Sequence, residues 1–235
     1  MAVSRAQRGL GLRPQLSDEV AARIRETIMD GRIRPGEYLR LERLALEFGI
    51  SVTPVREALQ SLRSEGFVLL EPRRGFVVAP LSRQDVADLF WVQASIAAEL
   101  TVRAAARMTP DALRELTLVQ RGLERAVVTG RTDLAAECQH AFHREVGRTA
   151  ASPKLSWSLA VVARYRPPGG FARLPDWTEA AVRDHQRVLE ALHGGDGQAA
   201  GAEMRRHVVR AGRSLVAHLE RRGMWPAEGV DEVSD

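Results

Sequence analysis

Three histidines carry the first chemical signal in this 235-residue chain. His185 shares a helical face with Ala181, Val182, Val188, Leu189 and Leu192, and His207 lies on the stripe Met204, Val208, Ala211, Leu215. His143 follows Phe142 and stands one turn before Val146. The helical period therefore turns three imidazoles toward an apolar interior. Burying them costs free energy unless each finds a partner. A shared divalent metal such as zinc, nickel or a similar ion would satisfy all three, because neutral imidazole is a good ligand. Three separately hydrogen-bonded core histidines, or a wet pocket without metal, would answer the same pattern. His140, three residues before His143, either substitutes as a ligand or sits nearer the helix edge, and His193 and His218 read as helix-surface or helix-end residues. Cys138 is the single cysteine, which excludes an internal disulfide and any multi-cysteine zinc site.

A second group of residues suits a nucleic acid. Ser51-Val52-Thr53-Pro54-Val55-Arg56 opens a helical segment reaching about Ser64, and Gly49 separates it from a shorter helix over Leu41 to Phe48. A helix fits the major groove, with its amino-terminal side chains at the base edges. Ser51 and Thr53 offer donors to phosphates or base acceptors, and Arg56 lies within the first turns. The period then switches to extended: Phe67–Leu70 and Phe76–Val78 flank Glu71-Pro72-Arg73-Arg74-Gly75. Arg73 and Arg74 at that tip would touch the DNA backbone or minor groove, with Gly75 allowing close approach. Any small helical domain can show a helix, a glycine turn and a helix; the adjoining arginine hairpin makes the pattern more specific.

The elements that position these residues divide the chain in two. Residues 1–14 read as a loose basic arm, and 15–80 as a winged helix-turn-helix whose first helix spans Ser17 to Met29. Residues 83–222 read as an all-α bundle of six or seven helices, over 83–108, 110–129, 132–149, 153–165, 178–193 and 197–222. Their starts are marked by Ser82, Thr109-Pro110, Thr132-Asp133, Ser152-Pro153, Thr178 and Asp196. An irregular loop over 166–177 interrupts the bundle, and 223–235 reads as an acidic tail. The fold class is thus mainly α with one small β-hairpin.

Composition sets the outer bounds. Hydrophobic residues make up 45% and charged residues 27%, which excludes wholesale disorder. The longest apolar runs, such as Phe67–Leu70, fall far short of a membrane span, and the amino terminus lacks the apolar core of a secretory signal. A cytoplasmic location is the expectation. Lys154 is the one lysine among 34 basic residues, and the net charge is +4. Arginine suits phosphates and guanine edges, although G- and C-rich genomes also favour arginine codons. Residues 1–80 hold 13 arginines against 10 acidic residues, so placement matters more than total charge.

The stretch Pro35-Gly36, Leu44-Ala45, Gly49-Ile50-Ser51, Thr53-Pro54-Val55-Arg56-Glu57-Ala58-Leu59, Leu62, Glu65-Gly66, Arg74-Gly75 resembles the GntR family of bacterial transcription regulators. That resemblance implies dimeric binding to a palindromic operator, with Arg56 as the main DNA contact. Val52 stands where family members often carry arginine between the serine and the threonine. Glu42 occupies the place of another frequent arginine, with Arg40 and Arg43 nearby as substitutes. The operator sequence therefore does not carry over.

Residues 83–222 resemble the FCD effector-binding domain of the FadR subgroup. The resemblance rests on Phe142-His143, Asp184-His185, Leu189-Glu190-Ala191-Leu192, Ala199-Ala200 and His207. It implies a divalent metal held by one carboxylate and three histidines, matched here by His143, His185 and His207. Gln139 stands in place of the usual aspartate, so the charge of the cation is less well offset. Gln93 and Ala97 replace an arginine and a glutamate that commonly face the effector pocket; Arg103, Arg164 or Arg166 would then be the arginine that meets an acidic effector.

The expected function is a sequence-specific regulator, in the repressing direction, controlled by a small metabolite and acting as a homodimer. A dimer covering a promoter blocks polymerase without further contacts. Two alternatives are a constitutive dimeric DNA binder without effector, and a metal-dependent hydrolase. Against the hydrolase, no general base is evident beside the histidines, although Asp184 and Glu145 are close in sequence.

Overall fold

Val20, Ala21, Ile24 and Ile28 recur at helical spacing and form the buried stripe of α1 (Leu16–Met29). This computed structural model describes residues 16–167, 170–174 and 177–225, so the expected arm over 1–14 lies outside the described residues. Two compact units emerge. One comprises α1 up to Ile28 and Ile33–Ala79; the other comprises Met29–Arg32 and the chain from Pro80 onward.

In the first unit, α2 (Leu41–Phe48) and α3 (Val52–Ser64) are joined by Gly49 in the left-handed conformation, φ 65°. Ile50 N–H donates to Ala45 O across that corner at 3.0 Å, closing the helix end. Leu44 and Ala45 of α2 and Val55, Ala58, Leu59 and Leu62 of α3 are buried. Arg25 donates from Nε and Nη2 to Glu65 Oε2 at 3.0 and 2.7 Å, fastening α1 to the end of α3. The hairpin forms from β2 (Val68–Glu71) and β3 (Gly75–Val78). A third strand absent from the sequence reading, β1 (Tyr38–Leu39), pairs antiparallel with β3 and gives the order β1-β3-β2. Two residues carry no alternation of their own, and only their partner makes them a strand.

The second unit contains α4 (Arg83–Ala105), α5 (Pro110–Val128), α6 (Thr132–Thr149), α7 (Pro153–Val162), α8 (Trp177–His193) and α9 (Gly197–Arg221). Ser82 starts α4 with a capping box: its Oγ accepts from Asp85 N–H while its own N–H donates to Asp85. Thr109 and Asp196 cap α5 and α9 in the expected way. Arg131, not Thr132, is the cap residue of α6. The helices α4 and α7 end three residues before the expected 108 and 165, and a short 3-10 turn, Phe171–Arg173, occupies part of the irregular loop.

The helices α4 and α9 pack tightly because α9 offers glycine. A Cβ on Gly212 would lie 2.7 Å from Phe90 Cβ and Cγ, and one on Gly201 would lie 2.7 Å from Val102 Cγ2. The expected acidic tail begins later than 223. Met224 is buried and Trp225 Nε1–H donates to Leu81 O at 2.6 Å, while the residues after 225 lie outside those described. Among the described residues, no helix is long and apolar enough to cross a membrane.

Candidate functional site

Burying Val55, Ala58, Leu59 and Leu62 leaves Thr53, Arg56, Glu57 and Gln60 exposed along the opposite face of α3. Ser51 is the extended cap residue of that helix, is exposed, and makes no side-chain capping bond, so its hydroxyl is available to a ligand. Arg40 precedes α2, Arg43 lies in its first turn, and both are exposed. Arg56 makes no hydrogen bond or ion pair among the described residues. Gln60 was not singled out by sequence reasoning; its place one helical turn beyond Arg56, on the exposed face, is the signal that finds it. Its amide suits adenine edges as arginine suits guanine.

At the hairpin tip the two arginines differ. Arg73 is exposed and holds a left-handed backbone, φ 63°, uncommon for a residue with a side chain. Arg74 donates from Nη1 to Tyr38 Oη at 3.1 Å, and Tyr38 Oη donates to Glu71 Oε2 at 2.5 Å. The third strand thus steadies Arg74 through Tyr38. Gly75, φ 98°, has open space where a Cβ would stand.

The bundle brings the three histidines together. One ligand atom from each of His143, His185 and His207 lies within 4.8 Å of the others. His143 Nε2 and His207 Nε2 are 3.3 Å apart. A tetrahedral ion at about 2.0–2.1 Å from each nitrogen would set them roughly 3.4 Å apart. His185 is wholly buried, stacks on Phe142 at 4.1 Å between centroids, and neither of its nitrogens has a hydrogen-bond partner. Desolvation pushes the His143 imidazole down to about 3, with His207 and His140 adding to the shift. Burial holds His185 well below the usual histidine range too, followed by the charges of His207 and His143. Convergent imidazoles, with both nitrogens of His185 unpartnered, are the donor set that a borderline metal takes. Gln139 is buried one turn before His143, and its Nε2 has no partner.

Asp184, which the sequence marks only as a neighbour of His185, lies inside the bundle. It is buried; Arg187 Nη1 donates to its Oδ1 at 3.1 Å, and its Oδ2 lies 3.4 Å from Arg210 Nε and 3.5 Å from His207 Nδ1. Burial pushes its carboxyl up, but His207, Arg210 and Arg187 outweigh that, and it sits below the ordinary carboxylate value. A charged residue next to His185 on α8 gave no sign of being buried until α9 packed over it. Trp177, at the start of α8, adds a buried ring 5.2 Å from that of His207.

The residues expected to meet an effector are scattered. Gln93 is buried, but its Nε2 donates to Val162 O at 3.1 Å and ties α4 to α7. Ala97 is buried on the same helix. Arg103 pairs with Glu99 on the surface and also donates to Ser152 Oγ at 3.2 Å. Arg164 is exposed beyond the end of α7, because that helix stops at Val162. Arg166 lies against His140 Nε2, in an open groove lined also by Val119, Leu134, Cys138 and Arg144. His218 is half-buried rather than a plain surface residue.

Residues 16–78 match the family described as "Bacterial regulatory proteins, gntR family", and residues 88–210 match the FCD domain. The chain belongs to the gntR family. Among curated relatives, the transcriptional regulator YdhC of Bacillus subtilis is 26% identical over 181 residues, spanning 72% of this chain and 77% of its own. The transcriptional repressor RspR of Escherichia coli is 25% identical over 210 residues, spanning 87% of this chain and 91% of its own. The solved structure of E. coli McbR/YncC shares the fold at TM-score 0.63 and 21% identity, over 88% of this chain and 98% of that one. A regulator from Rhodococcus does so at 0.58 and 20%, over 86% and 97%. This gntR-family chain is therefore an HTH-type transcriptional regulator with an FCD domain and not an enzyme.

Proposed function

We propose that the chain is a homodimeric repressor whose operator affinity responds to a small molecule taken up by the FCD bundle, with a divalent metal as part of that site. The observation that carries this reading is the coexistence of two features: an exposed α3 face bearing Thr53, Arg56 and Gln60, and a cluster of half-buried His143 with buried His185 and His207. In the first unit, α3 enters the major groove, Ser51 and Thr53 bind phosphates or bases, and Arg56 reads a guanine. Arg40 and Arg43 contact the backbone, and the wing adds Arg73 and Arg74 beside Gly75. In the second, the three histidines hold zinc, nickel or a similar ion, Gln139 supplies at most a neutral oxygen, and the open position admits the effector or water. When bound, the ion supplies a fixed positive charge that favours an effector with an anionic group. Gln93, Arg164 and Arg166 stay candidates for effector contact. The effector acts through differential affinity for two arrangements of the protein.

A second copy is the natural partner, because a palindromic operator demands a two-fold reader. On the FCD unit, α7 is apolar yet has no buried residue, and it runs antiparallel along α4 through the Gln93–Val162 and Arg103–Ser152 contacts. Trp157 on α7 is 66% exposed and Trp91 on α4 is 62% exposed. Two such rings offer roughly 300 Å² of apolar surface, a large part of the about 800 Å² per partner in a stable interface.

The test begins with fragments of genomic DNA captured by the purified chain. Arg56→Ala is expected to weaken binding to the selected fragment by roughly 10- to 100-fold, as loss of one bidentate base contact implies. Unchanged affinity, measured by fluorescence anisotropy, would remove α3 from the groove.

A further inference from the structure

A buried carboxylate, Asp184, lies behind His207 and outside the set of converging ring nitrogens. Asp184 directly precedes His185 on α8, so its side chain points about 100° around the helix from the imidazole. It falls outside the group of convergent ligand atoms, which holds only His143, His185 and His207 among the described residues. Its side chain is 2% exposed, yet Oδ2 has no hydrogen-bond partner, and neither has His207 Nδ1, 3.5 Å away. A buried carboxylate oxygen and a buried ring nitrogen facing each other are complementary only if the nitrogen carries the proton. That tautomer leaves a lone pair on His207 Nε2, the atom that faces His143 Nε2 at 3.3 Å.

We infer that Asp184 is a positioning residue for metal binding: it fixes His207 with Nδ1–H toward the carboxylate and the Nε2 lone pair toward the ion. The inference rests on the metal reading proposed above. A carboxylate behind a ligating histidine both orients the ring and makes it a better donor. Here it has a further task. Gln139 contributes no charge, so Asp184, one imidazole removed, is the nearest buried anion to the three nitrogens. Arg187 donates to Oδ1, while Oδ2 stands between Arg210 Nε at 3.4 Å and His207 Nδ1 at 3.5 Å. The arrangement makes a neutral three-histidine set act as one with an anion, without a carboxylate on the metal itself.

Two measurements test this. The first is the affinity of the full chain for zinc alone, in competition with a chromophoric chelator. Asp184→Asn is expected to weaken it by roughly 10- to 100-fold, with Asp184→Glu recovering part of the loss. Equal affinity in wild type and Asp184→Asn would overturn this inference alone; failure of the wild type to take zinc would overturn the metal reading and the inference with it. The second needs no variant and guards against one that fails to fold. Nitrogen-15 NMR of the metal-free wild type is expected to show His207 as the Nδ1–H tautomer, and a proton on Nε2 instead would overturn the inference. A purely structural ion pair with Arg187 and Arg210 would move neither the tautomer nor the zinc affinity.

Discussion

Burial holds both His143 and His185 neutral, and it leaves both ring nitrogens of His185 without a hydrogen-bond partner. Their depressed values give the metal-free protein a defined pH response. In the unfolded chain these imidazoles bind a proton below about 6.5, whereas folded His143 does so only near 3 and His185 also well below the ordinary value. Between those limits the unfolded state binds more protons, so stability rises with pH and is lost on acidification. Lowering the pH from 7 to 4 is expected to lower the melting temperature of the metal-free chain. The slope is at most about 1.4 kcal/mol per pH unit for each group. Calorimetry checks this, and replacing His185 with phenylalanine should flatten the slope. A flat wild-type profile would mean that the cluster opens to water before the protein unfolds.

At the scale of elements, close backbone approach does what side chains elsewhere do. Gly212 lets α9 settle against Phe90 of α4, leaving no room for even a methyl group. Gly212→Ala is expected to cost about 1–3 kcal/mol, the usual penalty of overpacking, measured by urea unfolding of the FCD signal. Were the change neutral, α4 and α9 would have to separate readily, and the bundle would be looser than its packing suggests. The wing illustrates the opposite device. A two-residue strand, β1, exists because it pairs with β3, and through Tyr38 it fixes one of the two tip arginines.

For the whole molecule, the exposed tryptophans make the dimer reading testable. Trp157→Glu combined with Trp91→Glu is expected to shift the chain from dimer to monomer in sedimentation at micromolar concentration. Operator affinity should fall with it, because each half-site then binds alone. A dimer that survives both changes would place the interface on another surface. The matches to the gntR and FCD families fix the class of the molecule.

Periodicity, caps and glycine corners were written in the chain. They gave the helix carrying Arg56, the basic hairpin, the Ser82 and Thr109 starts, and the inward faces of His185 and His207, since each depends on residues a few positions apart. Packing alone produced β1, the burial of Asp184 beside His207, the anchoring of Met224 and Trp225, and an α7 without a fully buried residue. It also turned Arg166 to His140 and engaged the Gln93 amide with Val162. Neighbours in sequence set local conformation through short-range sterics and hydrogen bonds. Contacts such as Asp184 with His207, on different helices, arise only when two faces close on each other, and no local pattern records which charge will be trapped between them.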